Sequence, residues 1–378
     1  MLVLNLRKKR EKAFAIETIK QYSIGTEYYI PRTMKTRSLK NYSSSVGIEV
    51  YDVDWNCHEE LLELGRLCSS ECIVFIDENL STEKIHETMM NWGDPSRALI
   101  HDAVVTKKLK GRHWRDIYLN LGYIGSDTEG QMRESTSIVS YKQGDKNRPV
   151  GIFQNGELDW HSDQCAFDDG QRIIGLRSVS DTENSQTQFL CTHDAYESLS
   201  SDMQSMIKEL VVKHKWVDHI MAPGLNHVQT LLIHYNMVPI DGMETKLYRE
   251  TASGLPGIKM PSHSFDGFVG MSKDESNRLM DTLKESIYKD KYSYTHDWND
   301  GQVVFMDQEI TLHKRPTNIQ DGNKRTMARV CSYLNKIFDN DQSKRLEKVR
   351  YSGELYDIDN FLKLVDEERK KTFVSETK

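Results

Sequence analysis

His161 and Asp163 stand two positions apart in WHSDQCAF, residues 160–167, and no other feature constrains the chain as much. In an extended strand successive side chains point to opposite faces, so these two project together while Ser162 turns away. An imidazole beside a carboxylate supplies two of the three ligands of a facial metal site. The third has to come from far along the chain. His313, at the end of the apolar run in GQVVFMDQEITLHKR, is placed to provide it. Two histidines, one carboxylate and open coordination positions suit a non-haem Fe(II) centre that activates oxygen. Taken singly, each of the three is more readily a satisfied core histidine or a surface acid. The combination carries the inference.

The bulk properties narrow the classes available. A chain of 378 residues makes one large domain or two small ones. At 38% hydrophobic and 28% charged it can bury a sizeable core. The formal net charge of -7 argues against a general binder of phosphate backbones, so no nucleic-acid partner is expected. The run Arg7-Lys8-Lys9-Arg10 is short and reads as a solvated helix face. No stretch approaches the ~18 apolar residues of a membrane span, and charges resume at Arg7, too early for the apolar core of a signal peptide. The six cysteines form no CxxC pair. A cytoplasmic protein with reduced thiols and no membrane partner is the expectation.

Along the chain, residues 1–44 read as an N-terminal appendage and 341–378 as a charged, helical C-terminal tail, flanking a main domain over 45–340. VGIEVYDVDW (46–55) alternates like a strand, and CIVFI (72–76) is a compact buried one. Leu61, Leu64 and Cys68 mark a short amphipathic helix, and Ser81 caps another that turns Ile85, Met89 and Trp92 inward. RIIGLRSV (172–179) and QTQFLC (186–191) read as strands. A helix with Leu199, Met203, Met206, Ile207, Leu210 and Val211 on one face is expected to run up to Trp216. Ser272 and Glu275 form a capping box ahead of another helix. Tyr292, Tyr294, His296 and Trp298 alternate as a strand lining a pocket or core would, and MARVCSYL (327–334) is the last strand. Between 97 and 150 the signal is weak and polar. The expected class is α+β, mainly β: a double-stranded β-helix of the jelly-roll or cupin type, with helical insertions.

WHSDQCAF, Thr187, AYESL, DWNDGQVVFMDQEITLHKR and NKRTMARV occur here in the order and at the spacing of the taurine dioxygenase family, which this chain resembles from about Val46 to Leu334. The resemblance implies an enzyme dependent on Fe(II), 2-oxoglutarate and O2. It would couple oxidative decarboxylation of 2-oxoglutarate, to succinate and CO2, with hydroxylation of an unactivated C–H bond. Carried over by position, His161, Asp163 and His313 would hold the iron. Arg325, helped by Thr187, would hold the distal carboxylate of 2-oxoglutarate, for which a permanently charged planar fork suits better than lysine. Arg329, four positions on, would join that cosubstrate end, meet an anionic group of the substrate, or bridge to an acid of the barrel wall. Asp307 matches an aspartate from which a hydrogen bond could orient His313. Gln302 and Gln308 depart from the family's usual aspartate and asparagine, which points to a subgroup remote from the taurine enzyme. Lys324 and Arg315 read as surface charges.

The substrate is expected to be a small polar molecule. Glu157 and Asp159 precede the metal strand in GELDWH, and acids there favour an ammonium or guanidinium group, hence an amine or amino acid. Solvated loop residues are the plainer alternative. Phe153, Gln154, Tyr294 and His296 are further pocket candidates. Family members are commonly homodimers or homotetramers, and these residues fix no symmetry. Two other classes stay open at this point. One is a metal-dependent hydrolase on the same ligands, which would leave Arg325 and Thr187 unexplained. The other is a non-catalytic jelly-roll binding protein.

Overall fold

A computed structural model describes residues 33–96, 136–140, 158–163, 165–215, 243–262, 264–316, 325–341 and 343; at 136–140 only the backbone is described. In chain order the strands are β1 (Lys35–Ser38), β2 (Ile48–Tyr51), β3 (Ile73–Ile76), β4 (Thr136–Ser140), β5 (Leu158–His161), β6 (Arg172–Ser180), β7 (Gln186–Cys191) and β8 (Val211–His214). They continue with β9 (Met243–Lys246), β10 (Tyr248–Glu250), β11 (Pro256–Ile258), β12 (Phe265–Phe268), β13 (Ser293–Asp297), β14 (Val303–Asp307), β15 (Thr311–Arg315) and β16 (Thr326–Tyr333). Seven form a large sheet in the order β1-β2-β3-β14-β6-β16-β4, and four form a smaller one, β13-β7-β15-β5. Within these two sheets every described pairing is antiparallel except β2 with β3.

The two sheets face each other, and strand alternation decides what lies between them. On β14, Val304 and Met306 enter a core shared with Ile174 and Leu176 of β6, Met327 and Cys331 of β16, and Phe189 and Cys191 of β7. Val303 and Phe305 point the other way, into a second core beneath the helices His58–Glu71 and Thr82–Trp92. β14 is therefore buried on both faces and reads as a continuous apolar run. A third core covers the outer face of the small sheet, where Leu190 and Leu312 meet Met280, Leu283 and Ile287 of the helix Lys273–Ile287. That helix starts on the expected capping box, with Ser272 Oγ accepting the Glu275 N–H at 3.3 Å and Glu275 Oε2 accepting the Ser272 N–H at 2.9 Å. Ser81 likewise caps its helix, accepting the Lys84 N–H at 3.1 Å.

Three local readings change. The helix expected to reach Trp216 spans only Ser201–Glu209; Leu210 is already extended, and Val211 and Val212 enter β8 between β9 and β12. The boundary at residue 44 falls inside described structure: Lys35–Ser38 pair with β2, and Leu39 and Tyr42 are buried in the core between the large sheet and the smaller one. Buried Glu60 holds this segment down by accepting the N–H of Thr33 at 2.6 Å and of Met34 at 3.3 Å. Thr136–Ser140, in the weak polar region, adds β4 to the edge of the large sheet. Residues 1–32, most of 97–157 and the tail beyond 343 lie outside the described residues. No helix among the described residues is long and apolar enough to cross a membrane.

Candidate metal centre

β5 and β15 are neighbours, and His161 and His313 are direct partners in their register. β15 turns Leu312 to the outer core, so His313 faces inward, and a ring-centroid distance of 4.1 Å brings the two imidazoles together. Asp163, in the turn after β5, places Oδ1 3.7 Å from His161 Nε2 and 3.9 Å from His313 Nε2. One ligand atom from each of the three lies within 4.8 Å of the others, a grouping that can hold a metal ion. Side-chain exposures of 14% for each histidine and 21% for Asp163 leave the cluster open to small molecules.

The electrostatics suit a cation. His161 Nδ1 donates to the Asp159 carbonyl at 2.6 Å, which anchors the ring and leaves Nε2 as the atom turned toward Asp163. Burial, helped by the neighbouring His161, pushes His313 down to about 3, so its imidazole is neutral at ordinary pH. His313 Nδ1 is buried and has no hydrogen-bond partner. Burial opposes the Asp163 charge, but Arg329, His313 and His161 together hold its carboxyl well below the usual range. The donor set is thus two imidazoles and one carboxylate, which fits Fe(II).

Thr187 and Arg325 are both buried. Arg325 Nη1 donates to the Gln186 carbonyl at 3.3 Å, which sets the guanidinium beside Thr187 at the head of β7. Thr187 Oγ1 accepts the Trp298 indole N–H at 2.9 Å. Arg329 Nε donates to Asp163 Oδ2 at 2.7 Å. Asp159 is exposed, its carboxylate accepting the Trp160 N–H at 2.7 Å. Glu157, Phe153, Gln154 and Lys324 lie outside the described residues.

Two expectations are corrected. Asp307 does not serve His313: its carboxylate accepts the N–H of Glu309 at 3.0 Å, of Ile310 at 2.7 Å and of Gln171 Nε2 at 2.7 Å, closing the turn between β14 and β15. Arg315 is buried, not a surface charge, because β15 lies inside the small sheet with β5 along its flank. Tyr294 and His296 are buried too. The Tyr294 hydroxyl donates to His296 Nδ1 at 2.9 Å and His296 Nε2 donates to Gln302 Oε1 at 3.1 Å, so both belong to a core network. Gln308, noted in the sequence only as a departure from the family's usual asparagine, and Arg172, which no local motif marks, join the site by touching the backbone of Asp163.

A jelly-roll-type arrangement of facing sheets, with two histidines and an aspartate at the inner rim, defines a 2-oxoglutarate-dependent dioxygenase class of protein. The family model described as taurine catabolism dioxygenase TauD, TfdA family, matches residues 108–331, and the chain belongs to that family. Pentalenolactone F synthase of Streptomyces arenae is 23% identical over 286 residues, covering 65% of this chain and 94% of that protein. The (S)-phenoxypropionate/alpha-ketoglutarate-dioxygenase of Sphingobium herbicidovorans is 24% identical over 168 residues, 42% of this chain and 56% of that one. Among solved structures, AAD-2 in complex with Mn(II) and N-oxalylglycine superposes with a TM-score of 0.58 at 18% identity, covering 79% of this chain and 97% of that one. The chain is accordingly an oxidoreductase of the dioxygenase class, and Fe(II), 2-oxoglutarate and O2 are the cofactor and cosubstrates of its family. The hydrolase and the non-catalytic binding protein fall away with that membership.

Proposed function

We propose that His161, Asp163 and His313 hold Fe(II), and that Arg325 and Thr187 hold the distal carboxylate of 2-oxoglutarate inside a double-stranded β-helix. One observation carries this reading: ligand atoms from residues 161, 163 and 313 lie within 4.8 Å of one another, on two paired strands and the turn after one of them. His161, Asp163 and His313 would hold iron, which with 2-oxoglutarate and O2 would supply the oxidising power for hydroxylating a C–H bond with release of succinate and CO2. The chain's own residues orient and enclose. His161, anchored through Nδ1, would offer Nε2 to the metal, and the guanidinium of Arg325 would offer a fixed fork to a carboxylate.

For the substrate, the reading is a small molecule with an anionic group. Arg329 keeps 20% of its side chain exposed beside Asp163 and can meet such a group with the part Asp163 does not use. An amino acid is the favoured form, because its ammonium would suit the acids at 157 and 159 while its carboxylate suits arginine. The name of the phenoxypropionate relative also denotes a carboxylate, which favours the anionic half of this reading.

Substrate-stimulated succinate formation tests the whole. Fe(II), 2-oxoglutarate and ascorbate are supplied with panels of amino acids, amines, aryloxyalkanoates and sulfonates. His161→Ala and His313→Ala are expected to abolish succinate release with the fold intact; release at the wild-type rate from either removes the ligand assignment. Arg325→Ala is expected to weaken 2-oxoglutarate far more than substrate, and a defect confined to substrate would move the cosubstrate contact elsewhere.

A further inference from the structure

Asp163 has four polar atoms, and other side chains hold three of them. Its N–H donates to Gln308 Oε1 at 2.8 Å, its carbonyl accepts from Arg172 Nη1 at 3.4 Å, and its Oδ2 accepts from Arg329 Nε at 2.7 Å. The fourth, Oδ1, is the atom nearest both imidazoles. The holders are anchored in turn. Gln308 Nε2 donates to the Asp307 carbonyl at 3.0 Å, and Arg172 donates through Nη2 to Asp169 Oδ1 at 2.6 Å. Asp169 Oδ2 accepts the Tyr333 hydroxyl at 2.5 Å. These residues come from β6, β16 and the turn between β14 and β15, so the clamp is built from three separate parts of the chain.

A carboxylate on an sp²-terminated side chain turns easily, because that torsion is broad and roughly two-fold. Held on Oδ2 by a charged donor, it cannot turn without breaking a charge-assisted hydrogen bond. Held at N–H and carbonyl as well, its backbone cannot tilt to compensate. One oxygen is presented to the cation and the other is withheld.

We propose that Arg329, with Gln308 and Arg172, is a positioning residue that fixes Asp163 as a one-oxygen metal ligand, so that Arg329 acts on the metal through Asp163 before any substrate arrives. This rests on the reading of Asp163 as a ligand. Removing the guanidinium has two opposed effects: it relieves repulsion of a dication, and it frees the carboxylate. The clamp predicts that the second effect outweighs the first, because Arg329 holds the only one of the three ties made to the carboxylate itself.

Co(II) alone, whose d–d absorption reports coordination number and geometry, is titrated into the metal-free full-length protein. Arg329→Met keeps bulk and removes the donor. It is expected to weaken Co(II) binding about tenfold or more, as loss of groups supporting a ligand does, and to change the band shape. Arg329→Gln, whose amide can donate to Oδ2 without charge, is expected to recover the wild-type band shape. If Arg329→Met does not fold, Gln308→Ala carries the same expectation from the backbone side. Co(II) binding within about threefold of wild type, an unchanged band shape, or a Gln variant that behaves like the Met one overturns the clamp and leaves the ligand assignment standing. Asp163→Ala that binds Co(II) as wild type does overturns both.

Discussion

At the scale of single residues, hydrogen-bond direction decides what a side chain has left to offer. Thr187 Oγ1 receives the indole N–H of Trp298, so its own hydroxyl proton has to be given elsewhere. In the proposed site the acceptor is the 2-oxoglutarate carboxylate. Trp298→Phe removes the donor and lets the hydroxyl turn. The Kd for 2-oxoglutarate, measured calorimetrically with Mn(II) in place of Fe(II), is expected to rise about three- to tenfold, the worth of one ordinary hydrogen bond. An unchanged Kd would show that Trp298 only packs. The residues at this scale divide by how they can be seen. His161, Asp163, His313 and Arg325 stand in short motifs whose spacing is chemical, and a chain read in order exposes them. Trp298 with Thr187, Gln308 with Asp163 and Arg329 with Asp163 are pairs 111, 145 and 166 positions apart. Nothing local marks which glutamine or arginine will meet which partner. Arg315 failed for a related reason: a charge at a strand end looks solvated until the strand beside it is known.

At the scale of elements, periodicity and caps gave the strands and helices that pack on one face, and they failed where the chain changes period without a glycine or proline. The apolar positions from Leu199 to Val211 fit a helical repeat, but the β-branched pair Val211 and Val212 takes up a strand instead. Caps are worth testing here. Ser272→Ala removes the hydroxyl that accepts the Glu275 N–H ahead of Lys273–Ile287, while the backbone half of the capping box stays, and is expected to cost about 1 kcal/mol in urea unfolding, with catalysis per folded molecule unchanged. Gly175 tests the opposite face. A Cβ there would sit 2.9 Å from Phe305 Cε1 and 3.0 Å from Met89 Sδ, under the helix Thr82–Trp92. Gly175→Val is therefore expected to destabilise by about 1–3 kcal/mol through overpacking, and a neutral result would mean that the helix shifts freely on the sheet.

For the whole molecule, buried neutral histidines set the response to acid. Burial, with Lys259 and Arg249 adding to it, pushes His214 down to about 3, while its ring nitrogens lie 2.8 Å from Ser264 Oγ and Thr245 Oγ1. Burial likewise pushes His296 down to about 4. Both sit below the ordinary 6.5, so the unfolded chain takes up protons first as pH falls. The stability these groups contribute is complete above pH 6.5 and is lost on the way down to their folded values. Each is expected to remove about 1.4 kcal/mol per pH unit between about 6 and 4. Denaturant unfolding at a series of pH values measures the slope, and His214→Gln should make it shallower; an identical slope would place the acid sensitivity in other groups.

One feature of the small sheet bears on how the protein acquires its ion. Among the described residues β5, which carries His161, stands at the end of the order β13-β7-β15-β5, so in the proposed site one ligand would ride on a border strand and another, His313, on its inner neighbour. Border strands fray more cheaply than inner ones, so His161 is expected to swing out and back while the inner strands stay paired. Loading would then need only a brief local opening, and the captured ion would pin the border down. Amide exchange over 158–161 is expected to slow on adding Mn(II), whereas the amides of β14 are already protected by neighbours on both sides.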